Sequence, residues 1–97
     1  MSEPSAPVVP ILLDAGGIEP VGTGLRIDFG RAAPGVIETI GRLTGEDPSA
    51  VVCQNPGVTA RAFGNLTLVF REGSFRGWQT SDPSLSATGA LREGSQC

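Results

Sequence analysis

The chain has 97 residues, a net charge of −3, and seven basic residues that are all Arg, with no Lys, His or Tyr. That length makes one small domain, and the interspersed acidic balance argues against a nucleic-acid binder, which would show a clustered basic face. No run approaches the ~18 apolar residues of a membrane-spanning helix, and with no His and only two distant Cys no metal site or cofactor is expected.

Residues 1–10 are Ser/Pro/Ala-rich, with no basic stretch followed by an apolar one. They read as a flexible segment, either a mature end left after export or an ordinary frayed terminus. Residues 8–13 are apolar but interrupted by Pro10, which suits an edge strand or a segment laid over the core. Residues 14–24 are punctuated by Gly and Pro and read as loop. Leu25, Ile27 and Phe29 then alternate with Arg26 and Asp28, the pattern of a half-buried strand.

Pro34 opens the expected helix, where its missing N–H costs nothing. Val36, Ile37, Ile40 and Leu43 form one apolar stripe. Glu38 and Arg42 are spaced four apart for an exposed ion pair, and Gly45 followed by Asp47-Pro48 ends the helix. Ala33 is a poor cap and Gly41 weakens the interior, so the helix needs a sheet to lie on.

A strand is expected at Val51–Cys53, followed by a turn at residues 54–57. Residues 58–79 carry three of the four Phe and the single Trp. Turns at Gly64-Asn65 and Glu72-Gly73 divide them into a three-strand antiparallel meander. With two-residue turns, Phe63, Leu66, Leu68, Phe70 and Phe75 share one face, while Thr67, Val69, Arg76 and Trp78 share the other. A three-residue second turn would instead send Trp78 inward. Arg61 falls on the Phe63 face, so a bulge is expected near residues 60–62.

Residues 80–97 read as a polar tail. The faint echo of residues 23–30 in residues 88–94 also fits the start of a second repeat. The expected architecture is therefore α+β, with one short helix on an antiparallel sheet of about four strands, in a single domain over residues 11–79. A bridge between Cys53 and Cys97 would contribute roughly 3–4 kcal/mol through loop closure. A buried, unbridged Cys53 is the other reading.

Phe29-Gly30, the helix stripe, the run Gly64–Phe70 and the run Gly73–Trp78 together resemble a family of uncharacterised exported bacterial domains, many of them lipoproteins. The layout over residues 25–79 is similar to the helix-on-meander module of β-lactamase inhibitor protein and of small outer-membrane-assembly lipoproteins. Ala33 departs from the Ser, Thr or Asp cap common in such domains. The resemblance implies an extracytoplasmic protein-interaction module and carries over no catalytic residue. The organised core beside so few titratable groups points to a non-enzymatic chain that binds another protein, with homodimerisation left open.

The candidate binding residues are Trp78, Arg76, Arg61 and Thr67, because an exposed Trp beside Arg has the composition of a binding hot spot. A Trp78 packed under the helix is the alternative. Two other functional readings stay open: a cytosolic enzyme using carboxylates such as Asp28 or Glu38, and a structural repeat unit or fragment of a longer chain. Gly22-Thr23-Gly24 precedes a strand rather than a helix and so does not form a dinucleotide fingerprint.

Overall fold

The computed structural model describes residues 10–97; the segment expected to be flexible lies outside them except for Pro10. Two antiparallel sheets and one helix enclose a common core. The smaller sheet is formed by β1 (Ile11–Asp14), β2 (Gly17–Pro20) and β3 (Ile27–Asp28), in that spatial order. The helix α1 (Ala33–Thr44) follows. The larger sheet then runs in sequence order through β4 (Ser49–Val51), β5 (Val58–Phe63), β6 (Leu66–Arg71), β7 (Ser74–Thr80) and β8 (Arg92–Gly94). The α+β class holds, but the single sheet of about four strands is replaced by sheets of three and five.

The first strand lies at a sheet edge, as Pro10 suggests. The stretch read as loop contains β2, the middle strand of the small sheet. Gly17 lies so close to β3 that a Cβ there would collide with the Ile27 carbonyl oxygen, so a residue that looks like a loop signal is required by strand packing. Leu25 does not join the inward face and is 59% exposed. The turn before it, closed by the Leu25 N–H donating to Thr23 Oγ1 at 3.1 Å, delays the strand until Ile27.

Helix α1 starts one residue earlier than its proline suggests. Ala32 is the cap and contributes no side-chain hydrogen bond. The weak cap is offset by backbone pairing to the larger sheet. Ala33 N–H donates to Gly73 O at 2.9 Å, Gly30 N–H to Phe75 O at 2.6 Å, and Phe75 N–H to Arg31 O at 2.8 Å. At the other end Gly45 adopts φ 71° and donates to Gly41 O. Val36 and Ile40 are buried, with Ile37 and Leu43 packed beside them. Arg42 meets Glu38 at 3.4 Å on the solvent side.

Both meander turns have two residues, with Phe63 opposite Leu66 and Phe70 opposite Phe75. The bulge lies elsewhere than expected: β5 pairs with β6 without a shift, whereas the β6–β7 register slips between Val69 and Phe70. Val69 faces Gly77 and Phe70 faces Phe75, which leaves Arg76 as the extra residue. The slip turns Trp78 inward opposite Leu68 without lengthening the turn. Phe75 and Trp78 are both fully buried, and the Trp78 indole N–H donates to Asp14 O at 2.7 Å.

Residues 80–97 are not a tail. Asp82 caps a turn of 3-10 helix at Pro83–Leu85, and Leu85 packs against the core. Ala87 N–H then donates to Leu13 O at 2.7 Å, beside the edge of β1. Strand β8 adds to β7 through Gln79–Arg92, Trp78–Glu93 and Gly77–Gly94. Residues 88–94 thus complete this domain's own sheet instead of opening a second repeat. The chain ends in a disulfide between Cys53 and Cys97, whose Cα atoms are 4.7 Å apart.

Two outcomes follow from this packing. Trp78 fluorescence should be blue-shifted and insensitive to acrylamide, and solvent-like emission would contradict the inward register. A Cβ at Gly41 would meet only Glu46 O at 3.6 Å and Phe63 Cε2 at 3.8 Å. Gly41→Ala should therefore stabilise the fold by about 0.5–1 kcal/mol in urea denaturation.

Candidate functional site

Side-chain alternation divides the five-stranded sheet into an inner face and an outer one. Phe63, Leu66, Leu68, Phe70, Phe75 and Trp78 point inward to the helix and the small sheet. On the outer face the register builds two rows across the strands. One contains Ser49, Ala62, Thr67, Gln79 and Arg92; the other contains Val51, Ala60, Val69, Gly77 and Gly94. Val58 and Arg71, paired with each other, continue this face toward the Glu72-Gly73 turn.

The four expected binding residues do not form one surface. Trp78 is 0% exposed and cannot meet a partner, because the Arg76 bulge rotates it inward. The core placement considered for it is the one found. Arg61 stands opposite Leu68 on the inner face, half-buried and one strand from the sheet edge. That position lets the stem pack while the charged head reaches solvent. Thr67 is on the outer face, half-buried opposite Gln79. Arg76 is exposed at the bulge.

The structure assembles a different site around Thr67. An open groove of about 560 Å³ runs along the outer face near the Gly64-Asn65 turn, lined in part by Asn65, Thr67, Gln79, Ser81, Leu91 and Arg92. Arg92 is the only ionisable side chain among its lining residues. The walls therefore offer hydrogen bonds, one cation and the half-exposed Leu91, but no pair of groups for acid–base chemistry. Among the described residues, Arg31, Arg61, Arg71, Arg76 and Arg92 form no ion pair. Arg71 and Arg92 lie on the outer face by register, and no carboxylate occupies the rows between them. The groove has little signature in the sequence because half of its lining comes from residues 80–92. The only signal there was the short Leu91-Arg92-Glu93 run.

Carboxylates gather instead on the small sheet. Arg26 donates to both oxygens of Asp14, at 2.7 and 3.0 Å, and to Asp28 at 2.9 Å, with Glu19 at 3.7 Å. Hydrogen bonds from Arg26 hold the Asp14 carboxyl below the usual carboxylate range, helped by the Gly16 N–H. The same carboxylates, Asp14 first, push the Arg26 pKa up. Asp28 is thus paired with Arg26 and Glu38 with Arg42, on separate elements. Among the described residues, no cluster of three or more His, Cys, Asp or Glu could hold a metal ion, and no helix is long and apolar enough to cross a membrane.

Comparison with protein-family models, curated proteins and solved structures gives no match.

The Asp14–Arg26 pair sets an acid dependence. Because the folded-state pKa of Asp14 is depressed, its contribution is present above the unfolded value of about 3.9 and is lost as pH falls through the lower folded value. The pair is partly exposed, so its effect is small and screened by salt. Asp14→Asn should flatten the fall in melting temperature below pH 4 relative to the parent chain. An unchanged acid slope would show that other carboxylates dominate.

Proposed function

We infer that the chain is a non-enzymatic protein-interaction module working outside the cytoplasm, and that its partner surface is the outer face of the five-stranded sheet. The observation that carries this reading is charge segregation. In a chain of net charge −3, the strand rows of this face hold Arg71 and Arg92 and no carboxylate side chain, while Asp14, Glu19 and Asp28 gather around Arg26 on the small sheet. A surface of that kind favours an acidic partner by complementarity.

The groove fits an extended segment better than a compact small molecule. It is open and bounded by a β-hairpin turn, with side-chain amides and hydroxyls from Asn65, Thr67, Gln79 and Ser81 along it. Arg92 would pair with a carboxylate of the partner, and Leu91, 49% exposed, would offer an apolar contact. The Cys53–Cys97 bridge supports an oxidising compartment, where such bonds persist. It agrees with the resemblance to exported domains, which rests on the residues quoted for it.

A fluorescein-labelled peptide of alternating Glu and Val tests the proposal by fluorescence polarisation. Binding should weaken as salt rises, and Arg92→Glu should lower affinity about tenfold by placing like charges together. Arg31→Glu, away from this face, should change little. A peptide that does not bind, or binds Arg92→Glu as well as the parent, would remove this surface from consideration.

A further inference from the structure

After β8 the chain turns back across the outer face of its own sheet, and the pair of glycines at that crossing is required by it. Gly77 and Gly94 are cross-strand partners. A Cβ on Gly77 would collide with Ser95 O and come within 2.7 Å of Ser95 N; one on Gly94, at φ 76°, would collide with Arg76 O. Residues 95–97 therefore form a strap over the glycine row. Ser95 N–H donates to Arg76 O at 2.9 Å, and Cys97 N–H donates to Gln79 Oε1 at 3.1 Å. At the far side of the sheet Cys97 Sγ lies 3.7 Å from Val52 O and is bonded to Cys53 Sγ.

The outer face beneath and beside this strap is apolar and low. Ala60 and Val69 are 0% exposed and Val58 is 8% exposed, yet none of the three belongs to the main core cluster on the inner face. Ser95 and Gln96 border Val58 and Arg71. The strap thus lies beside the groove of Thr67, Gln79 and Arg92, and its last residue occupies the Gln79 amide oxygen.

We propose that the strap is a thiol-controlled cover that shortens the partner groove when the disulfide is formed. A thiolate of a dithiol attacks one sulfur of the Cys53–Cys97 bond and forms a mixed disulfide. Its second thiol then resolves that bond and leaves the dithiol as a cyclic disulfide. Two electrons and two protons pass to the chain, giving Cys53 and Cys97 as thiols. With two backbone N–H hydrogen bonds and the weak Cys97 Sγ contact to Val52 O at 3.7 Å left to hold it, the strap swings away. Val58, Ala60, Val69 and Gly77 then extend the groove toward Arg71, in a trough whose floor has no side chain larger than Val. Both sulfur-bearing residues are half-buried and not sealed inside the core, so a dithiol can reach them. The inference rests on the outer face being the partner surface.

The test uses the full chain, oxidised or treated with dithiothreitol, and the variant Cys97→Ser as a permanently open form. On reduction, the Ser95 amide should lose its protection from hydrogen exchange. The Val58 and Val69 methyl resonances should shift, while Trp78 emission stays unchanged. Affinity for the labelled Glu-Val peptide should rise several-fold in both the reduced chain and Cys97→Ser. A protected Ser95 amide in the reduced chain, or loss of the folded Trp78 signal on reduction, overturns the latch. Unchanged or weaker peptide binding after strap release overturns its control of the groove. If the peptide binds neither form while Ser95 is released, the partner surface itself is refuted, which separates the two failures.

Discussion

The fold is held in register by what happens at Arg76. A regular β7 would place Phe75 and Trp78 on opposite faces, because they are three positions apart. One extra residue at the bulge brings both inward, and the Trp78 indole then reaches the Asp14 carbonyl at 2.7 Å. That hydrogen bond joins the large sheet to the last residue of β1, so a part-buried donor–acceptor pair ties the two sheets together. Removing the bulge would strand a large aromatic in solvent and leave a carbonyl without its donor. The bulge also divides the pairing of β7. Before it, Phe75 bonds to residues 30–31, which lead into the helix; after it, Gly77–Gln79 bond to β8.

The same slip shapes the outer face. Gly77 moves opposite Val69 and next to Gly94, which lets residue 95 approach the sheet at backbone distance. Gln79 moves opposite Thr67 and Arg92, which creates the polar row of the groove. Inner packing and outer chemistry are therefore two consequences of a single inserted residue. A change that restored simple alternation in β7 would damage both together.

Much of this was readable in the sequence because local chemistry decided it. Pro34 and Gly45 bracket α1 to within a residue, the 3.6-residue stripe identifies its buried side, and the two turns fix the hairpin pairs Phe63–Leu66 and Phe70–Phe75. The failures occur where long-range contact overrides local pattern. Strand β2 contains Gly17 and ends at Pro20, and it exists because β1 and β3 flank it. Strand β8 has three residues and no apolar alternation, and it is held by backbone pairing and by the nearby bridge. A bulge carries no composition signal of its own, so the direction of Trp78 could not be read from residue order. The groove depends on both the bulge and β8, and it was illegible for that reason.

The two edges of the large sheet are treated differently, which bears on how the molecule avoids uncontrolled pairing. Strand β8 carries Arg92 and Glu93, charges that discourage another strand from adding there. Strand β4 carries Ser49, Ala50 and Val51, followed by Val52 at 95% exposure, and has no charge to defend it. Its protection is brevity and position, since the chain leaves the sheet at once and is anchored through Cys53. The disulfide therefore does more than close a long loop. It fixes the departure of the unguarded edge and the return of the C-terminal strap in one bond, so the chemistry that uncovers the outer face also loosens β4. An open form would gain a longer groove together with a less restrained edge.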